Sequence, residues 1–336
     1  MGRWVIYGTI DNRVTKAVDR LAAVMGGRTW LAPGETDCIQ EWIHMGLLQC
    51  ADGKLVNGPN ALFLSAEFAE GIKPIVDDYV KSYVRLLEKE CKKKLQVAAV
   101  QFSNHSWEEL EHIVVAGMLI DLGVGQAAKK LKLIARPPAS FWVWKLPANM
   151  ATSNSFGVRM CTADTVAVGA AQIWHQNIKA PKLCLDSGDI ECISELLHNG
   201  GLSWTDPRLL RLKYWRLVAR NNDLAVPKAP VFRCQDGNPV WDLLAELANL
   251  IATEILVPLF ACVDKRVLEF NMSILSARHI IMRLLMEQVV DAAISSGVLS
   301  PFPKLTYPQW GVWLWTEDPE LCQLSGKKIY RGDACG

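Results

Sequence analysis

Two short segments carry the residue types most suited to chemistry, and they nearly respell each other. DCIQEWIHMG (37–46) and ECISELLHNG (191–200) share the pattern Cys-x-x-Glu-x-x-His, as Cys38, Glu41 and His44 and again as Cys192, Glu195 and His198. On a helix, residues three apart are surface neighbours, so Glu41 with His44, and Glu195 with His198, form the geometry of a metal-ligand or acid–base pair. Each cysteine falls at the edge of the apolar face, rotated away from its histidine, which argues against one ion held by all three. The competing reading is electrostatic: a histidine in the last helical turn is stabilised by the helix dipole, and the glutamate is solvated or ion-paired.

The second cluster is PRLLRLKYWRLVARN (207–221), where Arg208, Arg211, Lys213, Arg216 and Arg220 gather with no acid among them and Tyr214 and Trp215 lie between. Cations with aromatics suit single-stranded nucleic acid, the cations meeting phosphates and Trp215 stacking on a base. Thr205-Asp206-Pro207 reads as a cap followed by proline in the first turn, which predicts a helix from about Pro207 to Arg220. On that helix Arg208 and Arg211 lie to one side and Lys213, Arg216 and Arg220 to another. The alternative is a surface element whose arginines pair with carboxylates from elsewhere in the chain. No phosphate-binding glycine loop, dinucleotide fingerprint, nucleophile elbow, zinc helix or kinase signature is present, so no catalytic role and no cofactor is assigned.

These residues need elements to hold them. Ile39, Trp42 and Ile43 share one helical face, as do Ile193, Leu196 and Leu197, and a glycine follows each helix at Gly46 and Gly200. The likeness continues in order along the chain: YGTID (7–11) with MCTAD (160–164), MLIDLG (118–123) with QVVDAA (288–293), and the strand-like FWVWKLP (141–147) with VWLWTED (312–318). We read an internal duplication: a mainly α chain with short β elements, α+β in class. It forms two related helical lobes, residues 1–152 and 153–336, with an insertion in the second near 222–239.

Within the first lobe, the stretch from Asp37 to Glu90 reads helix, short strand, NGPN turn, short strand, long helix. This resembles the winged-helix pattern of bacterial regulators of the MarR type. The resemblance implies a winged-helix-like segment, yet Asp37 and Glu41 lie on the helix that would read DNA and the wing VNGPNA holds no cation. What it then implies is a packing or dimerisation module.

The 336 residues are half apolar with 13 Trp, 21% are charged and the net charge is +1, which excludes a disordered or strongly basic chain. Ten scattered cysteines without a C-x-x-C pair read as reduced thiols in an intracellular, cytoplasmic setting. No targeting signal is visible, and the apolar run Leu243–Val263 carries Glu246, Asn249, Thr253 and Glu254 as a polar stripe, so it reads as a core helix and not a membrane span. The expectation is a non-enzymatic binding and self-assembly protein, nucleocapsid-like or coat-like, forming a homo-oligomer and contacting single-stranded nucleic acid or its own neighbours. The alternatives are a winged-helix transcriptional regulator, and an enzyme or metal protein using the repeated Glu/His face.

Overall fold

The computed structural model describes residues 3–8, 17, 20–21, 39–51, 53–58, 60–63, 66–102, 105–134, 141–146, 154–163, 166–175, 185–233, 239–269, 274–301 and 312–316. Cys38, residues 147–153 at the expected boundary between the lobes and residues 234–238 of the expected insertion lie outside the described residues. The chain is mostly helical with short strands, an α+β fold.

In the first half, strand β1 (Arg3–Gly8) leads to helix α1 (Ile39–His44), strands β2 (Leu48–Ala51), β3 (Lys54–Asn57) and β4 (Ala61–Phe63), and two long helical runs. The first run is α2 (Ala66–Leu86), a π-helical turn (Leu87–Cys91) and α3 (Lys92–Phe102). The second is α4 (Trp107–Glu111), a π-helical stretch (His112–Gly123) and α5 (Val124–Lys130). Strand β5 (Phe141–Leu146) closes this half.

The second half opens with the hairpin β6 (Asn154–Ala163) and β7 (Val166–His175), then α6 (Ser187–His198), β8 (Leu202–Ser203), a 3-10 turn (Pro207–Leu209) and α7 (Leu210–Tyr214). Strands β9 (Val218–Asn221), β10 (Leu224–Pro227) and β11 (Val231–Arg233) precede two more helical runs. These are α8 (Pro239–Ile251) with a π-helical turn (Ala252–Leu256) and α9 (Val257–Glu269), then α10 (Ile274–Ser295). Strand β12 (Val312–Thr316) follows.

Sheet order is β4-β5-β1 in the first half and β11-β12-β7-β6 in the second. In each, a three-residue strand lies parallel to the strand that follows the helix pair, and a third strand joins antiparallel. By sheet position β7, not β6, stands where β1 stands, although the sequence likeness aligns Tyr7 with Met160 of β6. The NGPN segment does not turn a hairpin. The two-residue connection carrying Gly53 (φ 72°) does so, pairing β2 with β3. Asp-Gly at 52–53 is the stronger two-residue hairpin signal, and the sequence reading passed over it.

NGPN instead locks the end of α1. Gly46 (φ 68°) closes that helix with Leu47 N–H donating to Trp42 O and Gly46 N–H to Ile43 O, both 2.9 Å, while Trp42 and Leu47 are fully buried. Gly58 then packs on the same turn, its N–H 3.0 Å from Leu47 O, and Asn60 donates from backbone and side chain to Gly46 O and Met45 O, each 2.9 Å.

One large core draws on both halves: Phe68–Ile134 of the first pack with Phe232–Leu299 and Trp313 of the second. Two runs, Trp107–Lys130 and Val240–Glu269, are long and apolar enough by length and composition to cross a membrane, and the first is mostly buried inside this core. Glu246, Asn249, Thr253 and Glu254 of the second line its exposed side, as their spacing predicts. Polar ties also cross the halves. Glu111, 1% exposed, receives Lys92 Nζ at 2.9 Å and the Ser300 N–H at 2.8 Å, and Lys92 Nζ donates to Val298 O at 2.6 Å.

Three expectations follow. A Cβ on Gly58 would stand 2.2 Å from Gly46 O, so Gly58→Ala should cost about 1–3 kcal/mol in chemical denaturation. Gly125 sits in α5 with nothing within 4 Å of its Cβ position, so Gly125→Ala should stabilise by about 0.5–1 kcal/mol. The third concerns pH. Burial holds His112 below its ordinary 6.5, so its contribution is complete above that value and is lost as pH falls through it. Burial would raise Glu111, but the bonds from Lys92 and Ser300 outweigh it and hold the carboxyl below 4.5, so its contribution too is lost on acidification. The thermal midpoint should therefore fall from neutral to acid pH, and His112→Gln should flatten the limb nearer neutrality.

Candidate functional site

The second copy of the repeated helix and the basic stretch meet. Helix α6 begins at a reciprocal cap, Asp186 N–H to Asp189 Oδ2 and Asp189 N–H to Asp186 Oδ1, both 2.9 Å. Its apolar face buries Ile190, Cys192, Ile193 and Leu196 against a second core with Leu209, Leu212, Trp215, Leu217 and Ala225. That packing sets the 3-10 turn and α7 directly beside the acidic face of α6.

Arg208 donates to Glu195 Oε2 at 2.5 Å and Oε1 at 3.3 Å, and to Asp206 Oδ2 at 2.7 Å. Arg211 pairs with Asp186 and, at 3.2 Å, with Asp189. Bracketed by Asp206 and Glu195, the Arg208 guanidinium is held well above its ordinary value, and Arg208 lowers Asp206. Lys213 Nζ donates to Trp204 O and sits 4.4 Å over the Trp204 ring. Arg220, on β9, donates to Asn222 O at 2.7 Å and pairs with Asp223 at 3.4 Å.

Asp206 caps the turn, accepting from the Arg208 N–H at 2.9 Å with Pro207 next, as the sequence predicts. The helix does not reach Arg220, however; it ends at Tyr214. Arg216 takes the left-handed position (φ 53°) while Leu217 N–H bonds Leu212 O at 2.9 Å and Arg216 N–H bonds Lys213 O at 3.0 Å. This closure turns Trp215, Leu217 and Val218 into the core, which a continuing helix would not do. The turn residues at 221–223, NND, were the sequence signal for a hairpin beyond it.

Trp215 is therefore a core side chain, 7% exposed, and the exposed aromatic is Tyr214 at 69%, packed edge-on to Trp215 with ring centroids 5.3 Å apart. Leu210, one turn earlier and also 69% exposed, shares its side of α7. The sequence reading missed this pair; its signal was the i, i+4 spacing of two large apolar residues within a basic run.

In the first copy Glu41 is 3.5 Å from Arg20, and His44 is exposed at the end of α1. In the second, His198 Nδ1 lies 2.8 Å from Ser194 O of its own helix while Glu195 faces Arg208. Cys192 points inward, where burial raises its thiol. Among the described residues, no three His, Cys, Asp or Glu side chains gather in a metal-binding group. The sequence matches no protein-family model and no curated protein, and the fold matches no solved structure.

Replacing Trp215 and Tyr214 separates their roles. Trp215→Ala should cost about 3–5 kcal/mol, the usual price of a large core aromatic, whereas Tyr214→Ser should change stability by about 0.5 kcal/mol or less. Equilibrium denaturation of the two variants checks this.

Proposed function

We propose that this chain is a non-enzymatic binding and assembly subunit, coat-like or nucleocapsid-like, whose α7 face seats a neighbouring copy. One observation carries the reading: Leu210 and Tyr214 form an exposed apolar centre on α7, rimmed by paired charges of both signs. An apolar centre inside a polar rim is interface anatomy. The rim balances Arg208, Arg211 and Lys213 against Asp186, Asp206 and Glu195, so a second copy can meet it with opposite signs in register, and a net charge of +1 raises little long-range repulsion.

The duplication belongs to the same reading. It is supported by the C-terminal bonds Met45 N–H to Glu41 O and Asn199 N–H to Glu195 O, at 3.0 and 2.9 Å, and by the left-handed glycines Gly46 and Gly200 at φ 68° and 70°. The shared order of strand, helix pair and parallel strand supports it further. A winged-helix-like unit is better supported in the second half, where helix, strand, helix and hairpin end in a three-stranded sheet of order β8-β10-β9.

Nucleic acid is the second ligand of the proposal. Arg216 and Arg220, both exposed, with one or two neighbours would meet about three phosphates, Arg220 exchanging Asp223 for a phosphate, giving a logarithmic salt slope near −2 to −3. Two measurements test the reading. Leu210→Asp with Tyr214→Ser should lower the mass seen by light scattering without unfolding the chain; an unchanged oligomer rejects the α7 face. Arg216→Gly, which suits the left-handed position, combined with Arg220→Ala should flatten the salt dependence of oligonucleotide binding. No binding at low salt removes nucleic acid from the proposal and leaves protein–protein assembly.

A further inference from the structure

Two helical runs of the core lie side by side and antiparallel, α2 packing on α9 and α3 on α8. Arg266 of α9 lies against Gly71, and Tyr79 Oη is 3.7 Å from Cys262 Sγ, so further along Arg85 stands level with Glu254 and Lys93 with Glu246. Both runs turn a row of charge to solvent. On the first, Arg85, Lys89 and Lys93 are exposed at four-residue steps; on the second, Asp242, Glu246 and Glu254 are exposed, and no lysine or arginine occurs between Val240 and Asp264. Reckoned around each helix from its contact at Tyr79 or Cys262, the two rows come to the same side of the pair. Residues four apart on an α-helix drift by about 40° per step, and the π turn at Leu87–Cys91, which winds less per residue, takes that drift out and keeps the three cations in line. Glu88 stands beside the basic row, and Glu90 pairs with Lys94 at 3.4 Å. Among the described residues, none of Arg85, Lys89, Lys93, Glu246 and Glu254 has an ion-pair partner.

We infer that this two-signed face binds the same face of a second copy about a two-fold axis parallel to the helices, each basic row lying on the other copy's acidic row. The inference rests on the assembly reading only in taking a second copy as partner; it uses a different surface from α7. The charges select the occupant. An acidic row one helix away from the basic one repels a polyanion or an anionic lipid surface that approaches the cations. A partner must itself carry parallel rows of both signs, and the chain's own face does so at the matching spacing. Charge also selects the axis. A two-fold across the helices sets basic on basic and acidic on acidic, whereas one along them exchanges the rows and keeps every level. Arg85 then meets Glu254 of the second copy and Lys93 meets its Glu246, and symmetry repeats both contacts. Exposed ion pairs are individually weak and screened by salt, so this contact is reversible and salt-sensitive. It closes as a dimer, and a separate α7 contact lets dimers join into larger assemblies.

Sedimentation of the full chain over a concentration series at low and high salt is the test, with far-UV circular dichroism as the control for folding. The parent should dimerise at low salt and weaken on the order of tenfold as salt rises to about 0.5 M. Arg85→Glu with Lys93→Glu, and separately Glu246→Lys with Glu254→Lys, set like charges opposite each other, so each variant should self-associate about a hundredfold more weakly or worse. Mixed in equal amounts, the two variants should pair with each other as tightly as the parent, because every opposed pair again has opposite signs. The unsubstituted chain gives an independent reading. Mixed with its isotope-labelled form and treated with carbodiimide, it should join Lys93 to Glu246 in peptides that carry one label of each kind. A parent monomeric at low salt, an association that both charge reversals leave unchanged, reversed variants that fail to pair when mixed, or Lys93–Glu246 links confined to one chain overturns the inference. So does an Arg85→Glu with Lys93→Glu variant that keeps the parent's mass and loses oligonucleotide binding, which assigns the basic row to nucleic acid. Leu210→Asp with Tyr214→Ser runs alongside. If it alone lowers the mass, the α7 face stands and the two-signed face fails; if the charge reversals alone do, the reverse holds.

Discussion

Asp121 and Arg283 meet inside the helical core, their side chains 10% and 12% exposed, one from the first half of the chain and one from the second. An ion pair so nearly dry gains little net stability, because desolvating both groups offsets most of their attraction. Its force is conditional: sliding α10 past the His112–Gly123 stretch would strand two charges away from water, and losing one partner of a buried pair typically costs about 3–5 kcal/mol. The pair therefore sets register more than strength. Arg278 acts in the same sense, holding Asp264 of α9 while reaching Leu133 O of the first half at 3.3 Å. With Lys92, Glu111 and Ser300, these contacts index the helical runs of one half against those of the other.

The helices accept that indexing because their own regularity is relaxed in places. Among the described residues three stretches are π-helical, and one of them, Ala252–Leu256, ends just before Pro258. Proline within a helix removes one backbone donor and crowds the carbonyl four residues back, and a wider turn relieves both. Close approach matters as much. A Cβ on Gly71 would fall 2.6 Å from Arg266 Nε, so the guanidinium lies against the backbone of α2, and a Cβ on Gly123 would fall 3.2 Å from the Ala248 Cβ. A larger residue at 71 would push the Arg266 side chain aside, and one at 123 would need its neighbours to give by a few tenths of an ångström.

Much of this was legible from local pattern. The polar stripe of Glu246, Asn249, Thr253 and Glu254, the aromatic strands at 141–146 and 312–316, the Asp206-Pro207 start and the glycines after both repeated helices follow from periodicity and backbone sterics, which a sequence states directly. What was not legible depends on tertiary choice. Arg216 carries no mark of a left-handed residue, and it adopts φ 53° because Leu212 and Leu217 must both reach the core on either side of the turn. A helical wheel separates the cations of 207–221 by angle but is silent on the acids that face them. Asp186 and Asp189 lie some twenty residues upstream and are brought opposite Arg211 only by the packing of α6.

That packing changes how the repeated glutamate is to be understood. Glu41 and Glu195 occupy the same position in their helices, yet the arginine beside each comes from a different direction in the chain: Arg20 from upstream at 3.5 Å, Arg208 from downstream at 2.5 Å. What recurs is a carboxylate on the outer face, available to whichever guanidinium the surrounding segment supplies. In the second half it is drawn into a set in which it joins Asp206, Asp186 and Asp189 around Arg208 and Arg211, four carboxylates about two guanidiniums. The guanidiniums of Arg208 and Arg211 are thus held by carboxylates of the same chain, and what α7 turns outward beside them is the apolar pair Leu210 and Tyr214.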